Sequence, residues 1–209
     1  MRELLLLQLA DSAFPTGGFS HSMGLEAARA HGLAHDATSV SRFLSDSLRQ
    51  CAFGSLPLVN AMQDENASRR VDAYADAFLT NPTANQASRV QARSLRTAAE
   101  HVFCIQVPEG LLHHAPMFGA VTRALGLPLA DARRVFLFQH LRGVASAAVR
   151  LGLLGPLEAQ AMQRDLIPRA EELLANTAHC GLDDLAQTHP LAELCASRHD
   201  TLYSRLFMS

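Results

Sequence analysis

The sequence predicts an all-α fold, and three observations support this prediction. Apolar residues recur three, four, eight and eleven positions apart, as on one face of a helix, at Val40, Phe43, Leu44, Leu48 and Cys51. Proline stands near the start and glycine near the end of several such segments, where a first turn tolerates proline and a last turn often needs glycine. No alternating apolar and polar run is bounded by the turn residues of a hairpin, so no strand is predicted.

In chain order, the predicted helices cover residues 3–10, 20–30, 37–53, 57–66, 68–80, 82–105, 116–126, 128–151, 156–175 and 190–197. We expect Pro168 to kink or split the helix over 156–175. No segment of 30 to 50 residues repeats, which favours a globular bundle over a solenoid. The length of 209 residues favours a single domain over 1–209, with 198–209 as a C-terminal tail.

Charge and residue usage exclude several functions. The formal net charge of −2 provides no basic field for a phosphate backbone, so a nucleic-acid partner is not predicted. All 18 basic residues are arginine. A Walker motif and a Schiff-base mechanism both require lysine, so neither is available to this chain.

The N-terminus and the cysteines predict a cytoplasmic protein. The apolar run Leu4–Leu7 is followed by Gln8 and Asp11 and is short for a signal peptide. No stretch approaches the ~18 unbroken apolar residues of a membrane span. The four cysteines are scattered without metal or disulfide spacing, as expected in a reducing compartment.

The segment around Ser20 and His21 has two interpretations. Gly18-Phe19-Ser20-His21-Ser22 lacks the second glycine of a nucleophile elbow, and a predicted helix precedes it where the elbow requires a strand. Ser20 is therefore predicted to cap a helix that follows a turn over 15–18. A small serine hydrolase that uses Ser20 is the alternative.

Ten histidines raise the question of a metal site. His31 and His35 are separated by Gly32, which is expected to end their helix, and no H-E-x-x-H motif is present. We therefore predict no resident metal and no cofactor. Weak binding of nickel or zinc by surface imidazoles, as in a metal-storage protein, is an alternative.

Two further features of the sequence are relevant to the binding of a partner protein. Arg89, Arg93 and Arg96 fall on one face of the helix from residue 82, either as a solvated stripe or as an anchor for an acidic partner. The terminus "RHDTLYSRLFMS" interleaves aromatic residues with arginine. This tail either docks on its own domain or serves as an interface element.

The two ends of the chain resemble the family of urease accessory protein UreF. The resemblance rests on "LLQLADSAFPTGGFSHSMGLE" at the N-terminus and "ASRHDTLYSRLFMS" at the C-terminus, in the right order and at the right total length. The middle segment "GLPLADARRVFLFQHLRGVASAAVRLGLLG" is similar too. The resemblance covers essentially the whole chain.

This resemblance implies an all-α, non-enzymatic chaperone that dimerises. Family members form a complex with UreH (also called UreD) and with the GTPase UreG, which loads nickel into the urease apoprotein. UreF is regarded as the adaptor that recruits UreG and governs its hydrolysis. By resemblance, the partner-binding residues of this chain are Arg198, His199, Asp200, Tyr203, Ser204, Arg205, Leu206, Phe207, Gly18, Phe19, Ser20 and His21.

The chain departs from the family pattern at two places. Arg150 stands where many members have lysine, and the segment after it lacks their proline-leucine-glycine-glutamine sequence. Val90 follows Arg89 where the family pattern has glutamate, so Arg89 lacks a neighbouring carboxylate in the sequence.

Overall fold

A computed structural model describes residues 2–197 and 206–207, apart from the side chains of Phe19, Ala192 and Ala196. This part of the chain forms the helices α1 (Arg2–Ala10), α2 (Leu25–Ala30), α3 (Ala37–Gly54), α4 (Leu56–Ala61), α5 (Ser68–Phe78), α6 (Pro82–Phe103), α7 (His114–Ala124), α8 (Leu129–Arg150), α9 (Pro156–Asn176) and α10 (Pro190–Ser197). Short 3₁₀ helices lie at Gly18–Ser20, Glu65–Ala67 and Leu182–Asp184. These residues contain no strand, and the predicted all-α fold is confirmed. Within the same part of the chain, no helix has the length and hydropathy needed to cross a membrane.

The long amphipathic segments were predicted most accurately. The predicted helices over 37–53, 128–151 and 156–175 agree with α3, α8 and α9 to within one residue at each end. The helix predicted to start at residue 20 is wrong at its start, because α2 begins only at Leu25. The prediction over 57–66 is too long, since α4 ends at Ala61.

Pro168 does not split its helix, so that part of the prediction is wrong. Helix α9 continues from Pro156 through Pro168 to Asn176. A proline in a helix leaves the carbonyl four residues earlier without its usual donor. Pro168 and Arg164 both lie on the exposed side of α9, where water can bond to that carbonyl. Leu166 and Leu173 are buried on either side of Pro168.

Helix α8 lies at the centre of the fold. It packs against α1, α2, α3, α4, α7 and α9. Phe136 and Leu137 of α8, Leu44 of α3 and Phe118 of α7 are buried in one continuous apolar core. Burial of each such side chain contributes roughly 1.5–3 kcal/mol to folding. Helix α8 therefore holds these six helices in their relative positions.

Helices α4 and α7 approach each other closely at Gly119. A Cβ atom at this position would lie 2.7 Å from Cβ of Met62 and 3.1 Å from the carbonyl oxygen of Val59. Because neither neighbour is the end of a flexible side chain, only glycine fits here without a shift of the helices. The site therefore fixes the separation of α4 and α7.

Side-chain amides fix α10 near the N-terminal part of the chain. Asn81 caps α6 by accepting from the backbone N–H of Thr83 at 2.9 Å, and its amide nitrogen donates to the carbonyl of Glu193 at 3.1 Å. Oε1 of Gln50 accepts from the backbone N–H of His189 at 2.9 Å. Helix α10 packs against α2 and α6. These contacts place α10 beside α2, the helix that follows α1.

Candidate partner-binding surface

The segment between α1 and α2 is a tight turn packed on α6. Gly17 has φ of 75°, in the left-handed region, and a Cβ there would lie 3.0 Å from Oγ of Ser94. Both the backbone conformation and the close approach of α6 therefore require glycine at this position. The 3₁₀ helix Gly18–Ser20 follows directly.

Ser20 does not cap helix α2, and this prediction is wrong. Its hydroxyl donates to the carbonyl of Gly17 at 3.4 Å, within the turn itself. The chain then turns again through Met23 and Gly24, which have φ of 54° and 86°. Two consecutive left-handed residues separate Ser20 from the helix, so Gly24 takes the N-cap position.

The hydrogen bond of Ser20 also bears on the serine hydrolase alternative. A nucleophilic serine donates to a general base, whereas Ser20 donates to a backbone carbonyl. His21 is 2% exposed and lies in the interior near His114. The two side chains therefore do not form the nucleophile and base that the alternative requires.

Helix α2 presents a buried carboxylate to the end of the chain. Glu26 is 7% exposed, and its two carboxylate oxygens accept the backbone N–H groups of Leu206 at 2.6 Å and of Phe207 at 3.2 Å. The ring of Phe207 is buried, and the Arg150 guanidinium lies over it at 4.2 Å from the ring centroid. The two terminal motifs therefore meet. We call residues 17–26 together with Leu206 and Phe207 the loop–tail surface.

The structure describes part of the predicted partner-binding set. Gly18, Ser20, His21, Leu206 and Phe207 lie on or beneath the loop–tail surface. Outside the described residues lie Arg198, His199, Asp200, Tyr203, Ser204 and Arg205, as does the side chain of Phe19. Of the two tail residues that the structure describes, Leu206 is 68% exposed and Phe207 is 5% exposed.

The sequence did not identify Glu26 as part of this site. Glu26 ends the quoted N-terminal motif, but a glutamate in the first turn of a helix is ordinary and gave no signal of its own. In the sequence, Arg150 stands out only as a departure from the family pattern. A contact across 180 residues of sequence is visible only in the fold.

Two arginines of the predicted basic stripe are engaged within the chain. Arg89 donates to Asp76 of α5 at 2.6 Å, so this residue has a carboxylate partner from another helix. Arg96 donates to the carbonyl of Pro108 at 2.7 Å. These contacts favour a structural role for both side chains over an anchor for an acidic partner, whereas Arg93 is exposed.

Burial keeps two histidines of the interior, His113 and His114, neutral near pH 7. His113 lies between Asp76 at 3.2 Å and Ser88 at 3.3 Å, and burial lowers its pKa despite these contacts. Burial, with His21 and His140 nearby, lowers the pKa of His114 to about 4. Among the residues that the structure describes, no three His, Cys, Asp or Glu side chains are grouped so that they could hold a metal ion.

Comparison with known proteins identifies the family. The UreF family model matches residues 34–167, more than half of the chain. Urease accessory protein F of Oryza sativa subsp. indica is 34% identical over 96% of this chain and 82% of its own, and that of Arabidopsis thaliana is 35% identical over 97% and 90%. Urease accessory protein UreF of Cereibacter sphaeroides (strain KD131 / KCTC 12085) is 34% identical over 98% and 97%. The chain belongs to the UreF family of urease accessory proteins.

Proposed function

We propose that this chain is an adaptor in urease maturation. It joins UreH (UreD), recruits the GTPase UreG and regulates it during GTP-dependent insertion of nickel into the urease apoprotein. The chain performs no catalysis itself and holds no cofactor, because the nucleotide and its hydrolysis belong to UreG. It acts as a homodimer in the cytoplasm. Membership of the UreF family supports the role in urease maturation, and the finer assignments follow from the resemblance.

The observation that carries this proposal is the contact between the chain's two terminal motifs. Glu26, at the end of the N-terminal motif, holds the backbone of Leu206 and Phe207 in the C-terminal motif. Hydrogen bonds to an ionised carboxylate are stronger than neutral ones. Two segments from opposite ends of the chain are therefore available to a partner as one surface.

The described residues of the loop–tail surface differ in solvent exposure, and we assign them two different roles on that basis. Leu206 is exposed and Gly18 and Ser20 are partly exposed, so they are available for direct contact with a partner. His21 and Phe207 are buried and support the surface from beneath. The exposed apolar side chain of Leu206 would be removed from water by a partner that covers this surface. Phe19 and the six tail residues outside the described part of the chain belong to the same proposed interface.

The alternatives gain no specific support. The hydroxyl of Ser20 is engaged with a carbonyl, which disfavours the hydrolase. Among the residues that the structure describes, no three His, Cys, Asp or Glu side chains are grouped so that they could hold a metal ion, which disfavours metal storage at a defined site. The adaptor is therefore the function that the arrangement supports best.

The proposal is tested by light scattering on size-exclusion fractions. The chain is measured alone and then after co-expression with UreH and UreG from the same source. We expect a stable assembly that contains two copies of this chain, and we expect truncation after Arg198 to dissolve it. A chain that stays separate from both partners contradicts the proposal.

A further inference from the structure

Helix α1 exposes more apolar surface than its leucine-rich sequence would lead one to expect. Of its leucines, only Leu9 is buried, while Leu5 and Leu6 are partly buried against the core. Leu4 is 70% exposed and Leu7 is 67% exposed. The helix packs on α8 through its inner side. Its outward apolar side is therefore left open to solvent by the described part of the chain.

An exposed aromatic ring lies where α1 meets α8. Phe138 of α8 is 46% exposed. The next residue, Gln139, donates to the carbonyl of Leu9 at 2.6 Å, so Phe138 is close to the end of α1. The guanidinium of Arg142 lies over the Phe138 ring at 5.8 Å from its centroid. The ring therefore extends the apolar surface from α1 onto the central helix.

The apolar area is large enough for a contact between two copies of the chain. We call Leu4, Leu7 and Phe138 the α1–α8 face. From their exposed fractions, these side chains present on the order of 250 Å² of apolar surface in each copy. Since about 60% of a typical interface is apolar, two such faces correspond to an interface of roughly 800–1,000 Å² in total. This is the lower limit for a specific protein interface.

Charged groups of both signs surround the α1–α8 face. Arg2 and Glu3 begin α1. On α8, Arg134 lies one turn before the exposed ring and contacts Asp131 at 3.5 Å and Glu171 at 3.7 Å. A surface with an excess of one sign would repel a second copy of itself. Because this face has both signs at its edge, a second copy can cover it without a general repulsion.

The spacing of the two exposed leucines suits a two-fold axis. Leu4 and Leu7 lie three positions apart and therefore share one side of α1. When two copies of α1 pack antiparallel, Leu4 of one copy meets Leu7 of the other, and the same contact repeats across the axis. Glu3 then lies opposite the uncharged Gln8. The exposed side of α1 is therefore complementary to itself.

We propose that two copies of this chain associate through the α1–α8 face, with their α1 helices antiparallel across a two-fold axis. The inference rests on the homodimer of the proposed function and assigns a surface to it. None of the three residues of the α1–α8 face belongs to the loop–tail surface.

The test measures self-association of the full-length chain by sedimentation equilibrium. One double variant combines Leu4→Arg with Leu7→Arg, and a second combines Leu4→Glu with Leu7→Glu. Each brings like charges together across the axis and should raise the Kd of self-association by about 100-fold or more. Leu157→Arg, at a leucine of α9 that is 87% exposed, is the matched control and should leave the Kd unchanged.

Mixing the two double variants tests direct pairing of α1 with α1. An equimolar mixture should form a heterodimer, because an arginine then meets a glutamate at both contacts. This recovery also shows that both variants are folded, which circular dichroism checks independently. Phe138→Arg leaves α1 unchanged and should raise the Kd by about tenfold or more, so it provides the test if the α1 variants do not fold.

The outcomes separate this inference from the proposed function. A wild-type chain that stays monomeric overturns both the homodimer and the assigned surface. A dimer that persists in the folded charged variants overturns the assigned surface alone and leaves the homodimer in place. Charged variants that stay monomeric even when mixed overturn the antiparallel pairing of the α1 helices.

Discussion

The core around α8 and the loop–tail surface are built from different kinds of interaction. In the core, large apolar side chains such as Leu44, Phe118 and Leu137 are buried against neighbouring helices. At the loop–tail surface, left-handed backbone at Gly17 and a single carboxylate at Glu26 determine the structure. Apolar packing supports the first region, whereas backbone conformation and hydrogen bonds to Glu26 contribute to the second beside the buried ring of Phe207.

This difference separates stability from partner binding. Loss of one core side chain should lower the free energy of unfolding and leave the folded molecules competent to bind. Loss of one group at the loop–tail surface should change binding more than stability, because few other contacts depend on it. Local elements of low stability are commonly those that bind partners.

The largest stability effect is expected in the core. Phe118 is fully buried and lies edge-on to Phe136, with ring centroids 5.1 Å apart. Phe118→Ala should lower the free energy of unfolding by about 3–5 kcal/mol, as measured by urea denaturation. The folded fraction should still recover UreH and UreG. A selective loss of partner binding without a loss of stability would remove the distinction between the two regions.

Glycine substitutions on α7 and α8 test packing within the core. Gly119→Ala should lower the free energy of unfolding by about 1–3 kcal/mol, because its Cβ would overlap Met62. Gly143→Ala is the matched control: its Cβ meets open space, and the gain in helix propensity should raise stability by up to about 1 kcal/mol. Thermal unfolding of both variants gives the comparison, and shifts of the same sign would contradict it.

Stability should depend on pH through the buried imidazoles. Burial lowers the pKa of His114 and of His140 to about 4 from the ordinary 6.5. Between these values the unfolded chain binds more protons, so the free energy of unfolding should fall as the pH decreases from about 6.5 to about 4.

Substitution of one of these histidines should reduce that pH dependence. His140→Gln removes the titrating group and retains a partner for Ser47, whose hydroxyl lies 2.8 Å from Nε2 of His140. Urea denaturation at several pH values measures the slopes. Equal slopes for His140→Gln and the wild type would contradict the expected role of the buried ring.

The smallest stability effect is expected at the chain end. Phe207→Ala removes a buried ring from beneath Arg150 and should lower the free energy of unfolding by about 1.5–3 kcal/mol, less than Phe118→Ala. Leu206→Ala, at an exposed neighbour, should leave stability unchanged. Both variants should weaken recovery of UreH and UreG, measured by co-purification with the tagged chain. Full recovery with both would show that the chain end does not contact the partners.

The sequence predicted the core better than the loop–tail surface for a physical reason. Helical periodicity is a local property, and it placed α3, α8 and α9 to within one residue. The start of α2 was missed because the left-handed turn at Met23 and Gly24 has no periodic signal. The contacts Glu26–Phe207 and Arg89–Asp76 join different elements and depend on the tertiary fold.

An open cavity of about 780 Å³ beside α8 shows the same limit of sequence reasoning. The periodic pattern located α8 but did not indicate that Gly143 and Ser146 face an open space. His114 from α7 and His189 from the segment before α10 line the same space. Their convergence required the packing of several elements.

The most direct test of the central claim asks whether the two terminal motifs act as one partner-binding surface. Four chains are compared by the amounts of UreH and UreG that co-purify: wild type, Glu26→Ala, a chain ending at Arg205, and the combination. If Glu26 acts by holding Leu206 and Phe207, each single change lowers recovery and Glu26→Ala has no further effect in the shortened chain. Independent, additive losses, or full recovery with every chain, would contradict the claim.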